Sequence, residues 1–184
     1  MRPLFTIHAG EYLVGSHIEE HHPRWSVWIP SKDTGIDLLV TGDGNKNAVS
    51  LQVKFSKDFN PDYQSTSLQK KVLAEGWWTY EERKLKESPA DFWVFVLPSL
   101  SEHKTSFIII PPSELLRRLR SIHGRPNKKV QSYFCVTKNG HCWESRGLSN
   151  DEHEEIASDH FTDDRRNFTR FLNNWDLVEK RLKK

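Results

Sequence analysis

Cysteine is almost absent: Cys135 and Cys142 are the two thiols in 184 residues. Two are too few for a disulfide framework, and neither belongs to a CxxC pair of the kind that holds zinc or cycles redox. Long apolar runs are missing as well. No stretch approaches the roughly 18 residues that a membrane-spanning helix needs. The opening MRPLFTIHAGEYL lacks the cationic start, apolar stretch and small-residue cleavage site of a secretory signal. These absences predict structural thiols, no membrane association and a cytoplasmic protein. Charge of one sign is lacking too, since 27 Lys and Arg against 25 Asp and Glu leave a net +2. Any case for a nucleic-acid partner must therefore rest on where the cations lie. Aromatic residues are plentiful, with seven Trp and ten Phe, and should carry much of the packing. The length predicts one domain over 1–184 with a sizeable core.

Residues 9–20, AGEYLVGSHIEE, follow a helical period with Leu13, Val14 and Ile18 on one stripe and Glu11 at its edge. RWSVWIP alternates Trp25, Val27 and Ile29 with smaller or polar residues and reads as a strand ended by Pro30. Residues 34–56 read as a hairpin whose two strands are joined by GDGNKN. Side chains alternate along a strand, so Gln52, Lys54 and Ser56 share a face opposite Leu51, Val53 and Phe55. Asp37 likewise lies opposite Ile36 and Leu38, and pairing the strands brings it toward Gln52 and Lys54. Beyond the hairpin, 65–87 carries helical character broken at Gly76. DFWVFVLP and SFIIIPP form a second hairpin of buried strands, turning over 99–104. SELLRRLRSI over 113–122 is a short helix with Ser113 as its cap-like start. GRPNKK is a basic loop, 130–143 holds one or two short strands, and 163–182 reads as a C-terminal helix with Phe168, Phe171, Leu172, Trp175 and Val178 on its apolar side.

The hairpin carries the chemistry. Phosphodiester hydrolysis needs charge neutralised, hydroxide generated near neutral pH and the leaving oxygen stabilised, and one or two Mg²⁺ ions assist all three. Mg²⁺ takes oxygen ligands, commonly one or two carboxylates with waters and phosphate oxygens. Glu11 and Asp37 offer carboxylates, Gln52 an amide oxygen and Val53 its backbone carbonyl. Lys54, one pleat beyond Gln52, is placed to orient the attacking water or stabilise transition-state charge. Taken singly these residues have blander readings: a carboxylate favoured at a helix start for Glu11, a turn stabiliser for Asp37 and an exposed strand lysine for Lys54.

At these positions the sequence resembles the PD-(D/E)xK nucleases, which include many restriction endonucleases and the archaeal Holliday-junction resolvases. The matching pattern is Glu11 in AGEYLV, Asp37 in GIDLLV and the D/E-x-K element as Gln52-Val53-Lys54. The resemblance covers 9–56 by motif and reaches 122 by element order, making 9–122 the core and 123–184 a C-terminal extension. It implies an α/β fold, a restriction-endonuclease-like central mixed β-sheet flanked by helices, with a C-terminal helix added. It also implies a metal-dependent DNA endonuclease using Mg²⁺, for which Mn²⁺ can substitute, and a homodimer that cuts both strands. The departure is Gln52, a neutral ligand where Glu or Asp is usual, which weakens metal affinity by one charge. The alternative is a catalytically inactive DNA-binding or assembly module that keeps the fold.

Further candidates are less specific. Ser56, Arg117, Arg118, Arg120, Arg125, Lys128 and Lys129 are candidates for contact with the phosphate backbone, which gives affinity without base readout; a solvated helix face accounts for the arginines equally well. Arg165, Arg166 and the terminal KRLKK form a second basic patch. Trp77, Trp78 and Tyr80 suit base stacking, though core packing is preferred. His17, Glu20, His21 and His22 invite a zinc reading without matching HExxH, and Cys135, His141 and Cys142 do the same in a strand and its turn. Neither is adopted as a metal site.

Overall fold

A computed structural model describes residues 8–32, 34–56, 66–99, 101–124 and 129–184. Helix α1 (Ala9–His21) leads into strands β1 (Ser26–Trp28), β2 (Leu38–Thr41) and β3 (Ala48–Phe55). Helix α2 (Thr66–Lys71), strand β4 (Val72–Glu81) and helix α3 (Glu82–Lys86) precede β5 (Phe92–Ser99) and β6 (Lys104–Ile110). Then come α4 (Pro112–His123), β7 (Lys129–Thr137), β8 (Cys142–Glu144), α5 (Asn150–Ala157) and α6 (Asp176–Leu182). A five-stranded sheet runs in the order β1-β2-β3-β5-β6, and β4-β7-β8 form a second sheet of three strands. In the larger sheet β3 and β5 are parallel and the other pairs antiparallel, so it is a mixed sheet. Helices flank it, and the class is mixed α/β. Among the described residues no helix is long and apolar enough to cross a membrane.

Alternation along the central strands builds two cores. Val94 and Val96 of β5 pack with Leu51 of β3 beneath Val14 and Ile18 of α1 and Val178 of α6. Trp93, Phe95 and Leu97 face the other way, against Trp78 and Tyr80 of β4, Phe134 of β7 and the leucines of α4. Strand β5 is therefore apolar throughout because both of its faces are covered.

The second sheet replaces much of the helix expected over 65–87. Helix is confined to α2 and α3, and 72–81 is a strand in which Trp78 and Tyr80 are buried while Trp77, Thr79 and Glu81 are exposed. That is a period of two, and aromatic residues suit a half-buried pleat. Long-range pairing with β7, Trp77 opposite Tyr133 and Tyr80 opposite Val130, settles the choice. Gly76 is not a break but a point of close approach. A Cβ there would lie 2.5 Å from the Trp78 ring and 3.0 Å from the Ser56 Cβ. Gly76→Ala is expected to cost about 1–3 kcal/mol of stability through overpacking, measured as a lower denaturant midpoint with unchanged slope. Wild-type stability would contradict the close packing.

The C-terminal segment differs as well. α-Helix is restricted to α6, and 163–175 runs along the sheets with a single 3₁₀ turn at Thr169–Phe171, making isolated bridges Trp143–Asn167 and Ile108–Leu172. Phe168, Phe171 and Trp175 are nonetheless buried. Asn173 breaks any helix: its φ is 49°, its side-chain oxygen accepts the Phe107 N–H, and its own N–H donates to the Phe107 carbonyl. Helix α5 was not expected. Ser149 caps it by accepting the Glu152 N–H, while Glu152 accepts the Ser149 N–H, a reciprocal capping box. In α4, Pro112 occupies the first turn and Pro111 the cap, so Ser113 is already inside the helix.

Candidate active site

The hairpin fixes the site. Leu38 pairs with Leu51 in antiparallel register, and the Asp37 N–H continues the ladder to the Leu51 carbonyl at 2.9 Å. Asp37 thus stands opposite Gln52, and its Oδ2 accepts the Val53 N–H at 2.6 Å. One carboxylate oxygen is anchored by the backbone, which orients the other. Lys54 is registered beside Phe95 and Gln52 beside Trp93 on β5. The Lys54 Nζ lies 4.9 Å from the centroid of the Trp93 ring, a cation–π contact. That ring is itself held, because Trp93 is buried and its indole N–H donates to the Ser88 hydroxyl at 2.8 Å.

Glu11 comes from the opposite face of the sheet. Gly10 lets α1 approach the end of β3 closely, since a Cβ there would lie 2.7 Å from the Phe55 Cβ. Glu11 occupies the first turn, where its Oε2 accepts the His8 N–H at 3.2 Å. One cleft of about 680 Å³ at the end of the sheet is lined by Glu11, Asp37, Gln52, Val53 and Lys54. Its far wall comes from α3 and the turn after it, with Arg83, Lys84, Glu87 and Ser88. The sequence reading missed that wall. The ERKLK run was visible, but as part of the helical stretch expected after Gly76 it carried no sign of facing the hairpin. Chemically, the cleft gathers the carboxylates of Glu11 and Asp37, the Gln52 amide and the Val53 backbone carbonyl as oxygen donors, with the Lys54 ammonium beside them and Glu87 as a third carboxylate on the far wall.

The proposed backbone contacts fare unevenly. Ser56 is buried at the strand end, its Cβ close to Gly76 of β4. Arg118 is also buried: its guanidinium binds Glu114 and donates to the carbonyls of Asp164, Arg165 and Asn167, tying the C-terminal segment to α4. Arg117 makes two bonds to Glu114, and that guanidinium leads the interactions holding the Glu114 carboxyl down to about 2. Arg120 is paired with Glu82, while Lys129 is exposed; Arg125 and Lys128 lie outside the described residues. In the second patch Arg165 binds Asp163, Arg166 binds Glu144 and Arg181 lies near Asp91. Trp78 and Tyr80 are in the core and Trp77 is exposed.

The histidines of HIEEHH pack rather than converge. His17 stacks on His21 at 4.3 Å and lies against Phe107 and Trp175, and His22 stacks on Trp25. Burial, then the nearby His21 and His22, lower the His17 pKa from 6.5 to about 4, with Glu20 opposing. A depressed folded-state value means that the unfolded chain takes up the proton first. The stability is therefore complete above pH 6.5 and lost as pH falls toward 4. His17→Leu is expected to flatten this acid limb in a series of thermal melts, and an unchanged limb would exclude His17 as its source. Cys135 and Cys142 are buried on opposite faces of the second sheet, and burial pushes both thiols up. His141 lies beside Asp159 instead. Comparison of the chain with protein-family models, with curated proteins and with solved structures finds no match.

Proposed function

We propose that the protein is a Mg²⁺-dependent DNA endonuclease of the PD-(D/E)xK kind, in a QxK form, with a restriction-endonuclease-like fold. The observation that carries this reading is the single cleft lined by Glu11, Asp37, Gln52 and Lys54. The donor set fits a hard cation: carboxylates of Glu11 and Asp37, the Gln52 amide oxygen and the Val53 carbonyl are all oxygens. When bound there, Mg²⁺ or Mn²⁺ supplies charge neutralisation at phosphate and a more acidic water. The chain's own part is orientation. The Val53 N–H holds Asp37, and the Trp93 ring holds the Lys54 ammonium where it can stabilise charge on a phosphate oxygen or steer a water. Two copies acting on opposite strands would serve double-strand cutting.

A second reading, an inactive DNA-binding or assembly module, is favoured by Gln52, which leaves two carboxylates in the donor set. Incubation of duplex, single-stranded and branched DNA with Mg²⁺ or Mn²⁺ separates the two. The nuclease reading expects metal-dependent cutting that disappears in Asp37→Ala and Lys54→Ala. Binding without cutting by the wild type would establish the second reading, and equal cutting by both variants would exclude this cleft.

A further inference from the structure

The candidate cleft does not end at α3. Arg83 and Glu87 also line a hollow on the other side of that helix, and the hollow shares Arg120 and Lys129 with a third, smaller pocket of about 210 Å³. The small pocket sits where α4 ends and β7 begins. Leucines of α4 form its floor, Arg120, His123, Lys129, Arg146 and Gln131 form its walls, and no carboxylate lines it among the described residues. Arg120 is tied to Glu82, and His123 Nε2 lies 3.1 Å from the buried Glu144 Oε2. Arg146 is half-buried, and neither its guanidinium nor the Lys129 ammonium has an ion pair among the described residues. Arg146 and Lys129 thus bring two cations without a carboxylate partner among the described residues into one pocket that is also lined by Leu116, Leu119 and Val130.

We propose that this pocket binds a phosphate group. The guanidinium of Arg146 offers the planar fork that matches phosphate oxygens, Lys129 a point charge and the Gln131 amide a neutral donor. The leucine floor keeps water from one side and strengthens each charge. The pocket lies one hollow away from the cleft, sharing Arg120 and Lys129 with that hollow as the cleft shares Arg83 and Glu87, a placement that points to a backbone phosphate of a bound strand, some distance from the bond to be cut. That choice of source rests on the nuclease reading, whereas the phosphate chemistry does not.

Two arms test this, both on the full chain. Inorganic phosphate is titrated first and followed through the backbone amide resonances of Gly124, Lys129 and Gln131. Those signals are expected to move, and the paired substitution Lys129→Ala with Arg146→Ala is expected to weaken binding at least about tenfold. Arg146→Gln alone is the check should the pair fail to fold. Duplex DNA binding is measured second, with Asp37→Asn present so that nothing is cut. A strand phosphate in the pocket predicts about tenfold weaker binding by the paired variant and a salt slope smaller by about two. Phosphate binding with DNA affinity unchanged assigns the pocket to a free phosphate instead. Wild-type behaviour of the substituted protein in both arms overturns the site. Neither arm scores cleavage, so the nuclease reading can fail while this site stands, and the reverse.

Discussion

Asp37→Asn is expected to lower DNA cleavage at saturating Mg²⁺ by at least about a thousandfold, roughly 4 kcal/mol in the barrier, while leaving the fold intact. The substitution separates the two roles of this side chain. As a backbone anchor it accepts the Val53 N–H through Oδ2, and an asparagine oxygen can accept the same bond. As a proposed metal ligand it supplies one of the two carboxylates of the proposed donor set, and the amide removes that charge. Thermal melting should therefore stay near wild type while turnover collapses. Cleavage within about tenfold of wild type would remove Asp37 from the chemistry. Asp37→Ala is less clean, because it also leaves a strand N–H without its partner.

Arg166→Ala is expected to produce the largest loss of stability among single ion-pair substitutions in this chain. Glu144 has no exposed side-chain surface, and its Oε2 lies 2.8 Å from Arg166 Nη1, which also donates to the carbonyls of Glu144 and Arg146. Removing the guanidinium leaves a buried carboxylate with the Tyr133 N–H and His123 as its remaining neighbours. Breaking such a pair costs about 3–5 kcal/mol, which lowers the melting temperature of a chain this size by about 10 °C. The exposed Lys183–Glu179 pair serves as the control, and its disruption should leave the midpoint in place. Equal effects at the two sites would mean that Glu144 is not held by its charge partner.

The parts of the fold that rest on short-range pattern were legible. Helix α1, the hairpin of β2 and β3 and the apolar hairpin of β5 and β6 follow from spacings within a few residues, and they contain every residue of the candidate cluster. Helix α5 was missed, although its Ser149–Glu152 capping box stands in the sequence, because the acidic run around it reads as surface. Strand β4 was not legible. VLAEGWWTYE has a period of two only from Gly76 onward, and helix-forming residues stand just before it, so local preference pointed the wrong way. The apolar residues of 163–182 were correctly destined for the core, but Phe168, Phe171 and Trp175 reach it from a 3₁₀ turn and the backbone around it, which Arg118 and Asn173 hold in place, rather than from one α-helix.

By itself the sequence determined which groups share a face of the β2–β3 hairpin, because alternation sets Asp37 on one side of its strand and Gln52 and Lys54 together on one side of theirs; the observed register puts Asp37 opposite Gln52. Only the tertiary structure decided the rest of the cleft. Glu11 reaches it because Gly10 lets α1 close on Phe55, Arg83 and Lys84 because α3 follows a strand rather than continuing a helix, and Trp93 because parallel pairing sets β5 beside β3. Each of these contacts joins residues distant along the chain. Their positions depend on how the helices and both sheets bury apolar surface together, which no local pattern specifies.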